Sequence, residues 1–314
     1  MNINLKLDTQ KFCYVYRNFK IEQINNRKYI MPEENATRSP ITISEHIEDI
    51  LIDILNIGKK AFFNEEINDL EILEFANHYG LLGFMSDFPV NRYYILDNEV
   101  LLRDYNFVDF KDSISIFNIQ EYMKIFLPKL NTDEINKIIE KCKKDFTPSV
   151  MEKYLTPGLN EHLLYSEHYA EPIDMIIQYA HLLYKTLYYL IKDKYHSDIL
   201  PILGVNNITH SPFTLFSRQF EIKINYLKQA IDLFYALQIS QEVRLLKICN
   251  FCNKAFIAKN PKSEYHTYNC KNKANVYKSR SKNMISTGDG IAVKITPSQE
   301  LSDALIKGLK KKNK

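Results

Sequence analysis

Tryptophan is missing from this chain and glycine is scarce, with eight glycines in 314 residues. No G-x-G-x-x-G and no G-x-x-x-x-G-K-[ST] occurs, which removes dinucleotide-binding and P-loop nucleotide chemistry from consideration. Gly288-Asp289-Gly290 reads as a turn and is too slight to cradle a phosphate. There is no run of about 20 apolar residues, so no membrane span is expected. Met1 to Asp8 has no basic region followed by an apolar core, so no signal peptide is expected and the expected compartment is the cytoplasm. Such a reducing compartment suits a thiolate metal site better than disulfides.

A hydrophobic content of 45% over this length is enough to bury a sizeable core in two or three domains. The abundance of Ile, Asn, Lys and Tyr reads as the codon bias of an AT-rich bacterial or phage genome. A formal net charge of +3 hides an asymmetry. Residues 243 to 314 carry 16 Lys and Arg against Glu264, Asp289, Glu300 and Asp303, or +12, whereas the first 242 carry 25 against 34, or −9. A basic module on an acidic body points to a polyanion partner for the basic part. The competing reading is internal neutralisation, the basic part packing on the acidic one.

Cys249, Cys252, His266 and Cys270 follow the pattern C-x2-C-x13-H-x3-C, four soft ligands at a spacing that closes a tetrahedral zinc site. Three of the five cysteines fall in these 22 residues, while Cys13 and Cys142 stand far apart with no partner motif. Asn250-Phe251 forms a knuckle, Asn253-Lys254 lets the chain leave as a hairpin, and Phe256 is expected to be the lobe's buried aromatic. Lys271 to Arg280 lacks Gly and Pro, so Cys270 is expected in a first helical turn, where the helix dipole favours a thiolate. Knuckle, hairpin and ligand-bearing helix describe a treble-clef-like finger. With four protein ligands the ion, one Zn2+, is structural and contributes on the order of 10 kcal/mol to folding. The alternative is that Cys249 and Cys252 are a redox pair or incidental and His266 an ordinary surface histidine. No other ligand lies close, since the nearest other histidine is His210.

Cys270-Lys271-Asn272-Lys273-Ala274, leading into a basic helix that reaches Arg280, resembles the Cys-Gly-Asn-Arg-Ala segment of the CGNR-type zinc fingers of bacteria. Ile72 to Gly83, containing Tyr79-Gly80-Leu81-Leu82, is similar to the "Y-G-P-L" region of the helical domains that precede such fingers. The specific part of the resemblance spans about 35 residues at the finger. His266 stands where the family usually has cysteine, and Lys271 and Lys273 replace Gly and Arg, which keeps ligand chemistry and charge. The resemblance implies a DNA-binding regulator.

Phe12 to Tyr16 and Lys28 to Met31 are β-prone and flank a polar turn at Asn25-Asn26, a hairpin that Pro32 is expected to end. Ser44 caps an expected helix from His46 to Phe62 with Ile47, Ile50, Leu51, Ile54 and Leu55 on one face. A helix from Leu70 to Tyr79 ends at Gly80 and Gly83, and Asp97-Asn98 joins Tyr93 to Leu96 with Val100 to Leu102 in a second hairpin. Helices are expected at Ile119 to Phe126, at Thr132 to Phe146 with Thr132 as cap, from Glu161 or Pro172 to Tyr195, and from Glu221 to Leu237. The short link Gln238 to Glu242 is expected to dock the finger on the body. Thr296-Pro297-Ser298-Gln299 is a capped start for a helix from Pro297 to about Lys310. The expected fold class is mainly α with small β-hairpins (α+β): a helical body, then a C-terminal treble-clef-like finger and a terminal helix. Its expected divisions are a mixed region at 1–157, a helical region at 158–242, the Cys3His finger at 243–284 and a basic tail at 285–314.

Enzyme constellations are thin. Glu161-His162, Glu167-His168 and His181 lie on or near one helix, but His162 and His168 are six apart and do not share a face. An HNH-like nuclease would need His266 to leave the metal, stranding three cysteines. The expected function is therefore nucleic-acid binding, foremost duplex DNA in transcriptional control, through Lys271, Asn275, Lys278, Arg280 and Lys282. Lysines would meet phosphates and Asn275 a base edge. The alternatives are a protein interaction module braced by zinc and, more weakly, a toxin or phage-defence effector.

Overall fold

The computed structural model describes residues 5–8, 14–40, 43–84, 99–103, 114–145, 168–192, 214–216, 219–223, 227–241 and 243–285. Helices and small sheets are mixed, an α+β arrangement, and the chain divides into a body, Met1–Ser240, and a C-terminal unit, Gln241–Lys314. The proposed division at Pro157-Gly158 and the helix from Pro297 lie outside the described residues.

In the body, β1 (Leu5–Asp8) precedes a long hairpin of β2 (Tyr14–Ile24) and β3 (Arg27–Pro40). Its turn is Asn25-Asn26, both left-handed at φ 50° and 64°, as a two-residue hairpin turn requires and asparagine tolerates. The hairpin does not stop at Pro32. Pro32 pairs with Phe19 at the edge of a bulge in which residues 33–36 of β3 face the single residue Asn18, φ 75°, and a bulge is where a residue without an N–H fits a ladder.

α1 (Ile43–Phe62) starts before Ser44, which therefore sits inside the first turn and is not its cap. Ile50, Leu51, Ile54 and Leu55 are fully buried as the helical spacing predicts, and Ile47 is half-buried. α2 (Asp69–Tyr79) is capped by Asn68, whose side chain accepts from the Leu70 N–H at 3.0 Å. It ends at Gly80, φ 90°, whose N–H donates to Ala76 O at 2.7 Å.

Val100 to Leu102 lies in β4 (Glu99–Arg103), whose antiparallel partner is β5 (Ile114–Asn118); Tyr93 to Leu96 lies outside the described residues. α3 (Ile119–Phe126) and α4 (Thr132–Asp145) follow. Asn131, not Thr132, caps α4: its side chain accepts from the Glu134 N–H and the Glu134 carboxylate accepts from the Asn131 N–H, both at 2.9 Å.

β6 (Glu171–Pro172) adds to β3 and runs straight into α5 (Ile173–Lys192), which is buried on most sides and packs against α1. The two helices approach so closely at Gly58 that a Cβ there would lie 1.9 Å from Ala180 O.

The expected helix from Glu221 begins later. Residues 219 to 223 are β8 (Gln219–Lys223), antiparallel to β7 (Thr214–Phe216) and parallel to β1, and only then does α6 (Leu227–Ser240) start. Phe220 and Ile222 alternate with Glu221 and Lys223, a period of two that the adjoining helical run conceals. Among the described residues no helix is long and apolar enough to cross a membrane.

Candidate metal centre

The C-terminal unit opens with β9 (Leu246–Ile248) and β10 (Ala255–Ile257), an antiparallel pair with Ile248 opposite Ala255. The loop between them is closed by the Cys249 N–H donating to Lys254 O at 2.9 Å and the Asn253 N–H donating to Cys249 O at 3.0 Å. Asn253 adopts φ 59°, the left-handed geometry that turns the chain back into β10. Cys249 and Cys252 are thereby fixed on one tight knuckle.

The Asn250 N–H donates to Glu264 O at 3.0 Å and ties the knuckle to the segment that carries His266. Asn260 shapes that segment, accepting the Lys262 N–H on its side chain and the Ser263 N–H on its carbonyl, both at 2.9 Å. The Lys247 ammonium donates to the Ser263 and Pro261 carbonyls. α7 (Tyr268–Ile285) then begins, and Thr267 Oγ1 accepts the Cys270 N–H at 3.2 Å. Cys270 thus lies in the first turn of a capped helix, at its positive end.

The four side chains converge, with their ligand atoms all within 4.8 Å of one another and Cys252 Sγ 3.4 Å from His266 Nδ1. A tetrahedral ion with Zn–S of about 2.3 Å and Zn–N of about 2.0–2.1 Å sets neighbouring ligand atoms about 3.5–3.8 Å apart, so the cluster has the right size. Cys249 and Cys270 are buried, and Cys252 and His266 are half-buried. Hydrogen bonding from Cys252, helped by His266, holds the Cys249 thiol down at about 3 in spite of burial. Donating that proton, beside a buried thiolate, drives Cys252 far upward. The four residues could hold one metal ion, and zinc suits this donor set.

Phe256 is half-buried, its ring 6.3 Å from that of His266, and a second contact joins Phe251 to Tyr277 at 5.8 Å. Two partly covered aromatic contacts therefore stand where one buried ring is expected. Over 268–280, α7 buries Cys270 and half-buries Ala274 and Tyr277, leaving the rest exposed. Lys271, Asn275 and Lys278 form one exposed row, and Lys282 continues it by helical position. Arg280 falls about 180° around the helix from Lys271.

Elsewhere, Glu161 and Glu167 lie outside the described residues. His162 lies outside the described residues, and the His181 ring packs 5.9 Å from Phe62, its pKa pushed down by burial and by Lys185. The body instead buries a polar set that the sequence reading missed. Glu171 is 0% exposed and accepts from Tyr169 Oη (2.7 Å) and from the N–H groups of Leu82, Gly83 and Phe84 at 2.9, 2.5 and 3.2 Å. Burial pushes its carboxyl up, opposed by these donors. Asp232 accepts from Lys228 at 2.5 Å and from Tyr179 at 2.7 Å. The Lys228/Asp232 spacing of four on a helix was a readable signal; Glu171's three amide partners, 87 to 89 residues away, had none.

Comparison with known proteins adds no assignment: no protein-family model matches the chain, and no curated protein and no solved structure matches it.

Proposed function

We propose that the C-terminal unit is a treble-clef-like, CGNR-like finger held by one structural Zn2+ on Cys249, Cys252, His266 and Cys270. On this reading it binds nucleic acid, foremost DNA, and the protein acts as a transcriptional regulator in a bacterial or phage cytoplasm. The observation that supports this most is the coverage of α7. Over 268–280 its covered stripe, Cys270, Ala274 and Tyr277, faces the lobe, and the row of Lys271, Asn275 and Lys278 is left exposed on a segment of net charge +12. Lysines meet phosphates as point charges, and Asn275 is suited to a base edge, so affinity is electrostatic and sequence preference modest.

The test is a salt titration of DNA binding by the full chain carrying Lys271→Glu and Lys278→Glu. The affinity should fall, and the slope of log K against log salt should shrink by about 0.7–0.9 for each lost contact, with one zinc per chain retained. Unchanged salt-dependent binding would remove the assignment from this face. Binding no tighter than about 10⁻⁴ M by the parent chain, together with a loss of thermal stability on charge reversal, would assign the cations to the protein's own packing or to a protein partner.

A further inference from the structure

The exposed row on α7 starts with an aromatic side chain. Tyr268, the first residue of the helix, is 77% exposed, more than the other exposed large hydrophobics among the described residues, Leu70, Val243 and Val276. Among the described residues nothing in the lobe's architecture requires it. Thr267 supplies the cap, Cys270, Ala274 and Tyr277 supply the packing, and Tyr277 is the ring that meets Phe251.

Helical geometry puts Tyr268 beside the cations. At about 100° per residue Tyr268 lies about 60° from Lys271, with Asn275 about 40° to the same side and Lys278 about 20° to the other. All four fall in a sector of about 80°, and the rise places Tyr268 and Lys278 about 15 Å apart along the axis. One line on the helix thus offers a ring face, two ammonium groups and an amide.

Duplex and unpaired strands differ in which of these they can use. Both present phosphates to lysines, but base faces are hidden in a duplex stack and only edges reach the grooves. In an unpaired strand the faces are open, and stacking on an exposed aromatic strengthens binding by about fivefold to a hundredfold per base. A duplex leaves the Tyr268 face without a partner.

We infer that α7 takes single-stranded DNA, with one base stacked on Tyr268 and neighbouring phosphates on Lys271 and Lys278. The inference rests on the nucleic-acid reading above and specifies the form of the ligand, replacing the duplex expected from sequence.

The experiment compares the zinc-loaded full chain against a short oligo-dT and against the same strand paired with oligo-dA, by fluorescence anisotropy at one salt concentration. Oligo-dT should bind more tightly. Tyr268→Ala should weaken oligo-dT binding by at least about fivefold and leave duplex binding unchanged, whereas Tyr268→Phe should retain both. Because the ring is exposed, both variants should keep their zinc and melting temperature. The chain has no tryptophan, so Tyr268→Trp adds a single reporter whose emission should be quenched by oligo-dT and not by the duplex. Equal binding of the two forms, or Tyr268→Ala indistinguishable from the parent on oligo-dT, would overturn the inference and leave the nucleic-acid reading standing. Failure of the parent chain to bind either form would overturn both.

Discussion

In the body, α1 and α5 bury Ile50, Leu51, Ile54, Leu55, Tyr179, Ala180, Leu183 and Tyr184, each at most 1% exposed. Among the described residues of the C-terminal lobe the buried hydrophobic set is Leu246, Ile248, Cys249, Ala255, Ala258 and Cys270, and two of these six are members of the candidate metal cluster. The body has enough apolar surface to hold itself together. The described part of the lobe buries far fewer side chains, and in so small a unit ligand chemistry is the usual supplement to a core. Buried polar groups follow the same division. In the body Glu171 and Asp232 are satisfied by amides, hydroxyls and an ammonium. In the lobe the sulfurs of Cys249 and Cys252 converge with His266 and Cys270 in a group that could hold a metal ion.

Removing one ligand should separate the two units most sharply. Cys270→Ser, or chelation of the parent chain, should abolish zinc binding and unfold the lobe, since an ion of this kind contributes on the order of 10 kcal/mol to so small a fold. Hydrogen exchange should show the Cys249, Asn250, Asn253 and Ala258 amides losing protection, while the Gly80, Ala170 and Lys228 amides of the body keep theirs. Cys13→Ser and Cys142→Ser should leave the zinc content at one per chain. Lobe amides that stay protected without metal would break the contrast and remove the zinc from the lobe's stability.

The converse experiment weakens the body alone. In an exposed helix Gly→Ala gains about 1 kcal/mol, but at Gly58 the new methyl would stand 1.9 Å from Ala180 O, 2.5 Å from Ala180 C and 3.0 Å from Tyr184 Cβ. Two of those three atoms are backbone, so α1 and α5 have to move apart. A net destabilisation of about 1–3 kcal/mol is expected. It should appear as a lower denaturant midpoint for the body with zinc content and lobe protection unchanged. A higher midpoint would mean that the helices do not meet as tightly as the geometry says.

What could be read from sequence was local. The Asn25-Asn26 turn, the apolar face of α1 and the Cys3His spacing each lie within one short stretch, where period, turn chemistry and ligand spacing act directly. Pro32 passing through β3 depends on a bulge that sets residues 33–36 opposite the single residue Asn18, a mismatch that shows only once the two strands are paired. The parallel pairing of Leu5 with Phe220 joins distant segments, so nothing near Glu221 marks it as a strand residue apart from four alternating side chains. Glu171 shows the same limit: as a lone carboxylate before a proline it has no signal, and its role exists only once Leu82, Gly83 and Phe84 turn their amides toward it. Even caps shift by one residue where two candidates adjoin, as Asn131 displaces Thr132.

The smallest expected effect tests whether the fourth ligand is specified or only required. His266 brings Nδ1, not the distal Nε2, to within 3.4 Å of Cys252 Sγ, so its ligand atom is close to its own backbone. A cysteine sulfur is one atom nearer to the backbone than Nδ1, and a Zn–S bond of about 2.3 Å against about 2.0–2.1 Å for Zn–N recovers part of that difference. His266→Cys should therefore keep one zinc per chain and the same pattern of lobe protection. The loss would be confined to the ring contact with Phe256, 6.3 Å between centroids, and so to about 1 kcal/mol. His266→Ala opens the shell instead and should weaken zinc binding severely. Equal zinc loss in the two variants would show that the imidazole is needed for its shape, and equal retention would show that the three sulfurs hold the ion without residue 266.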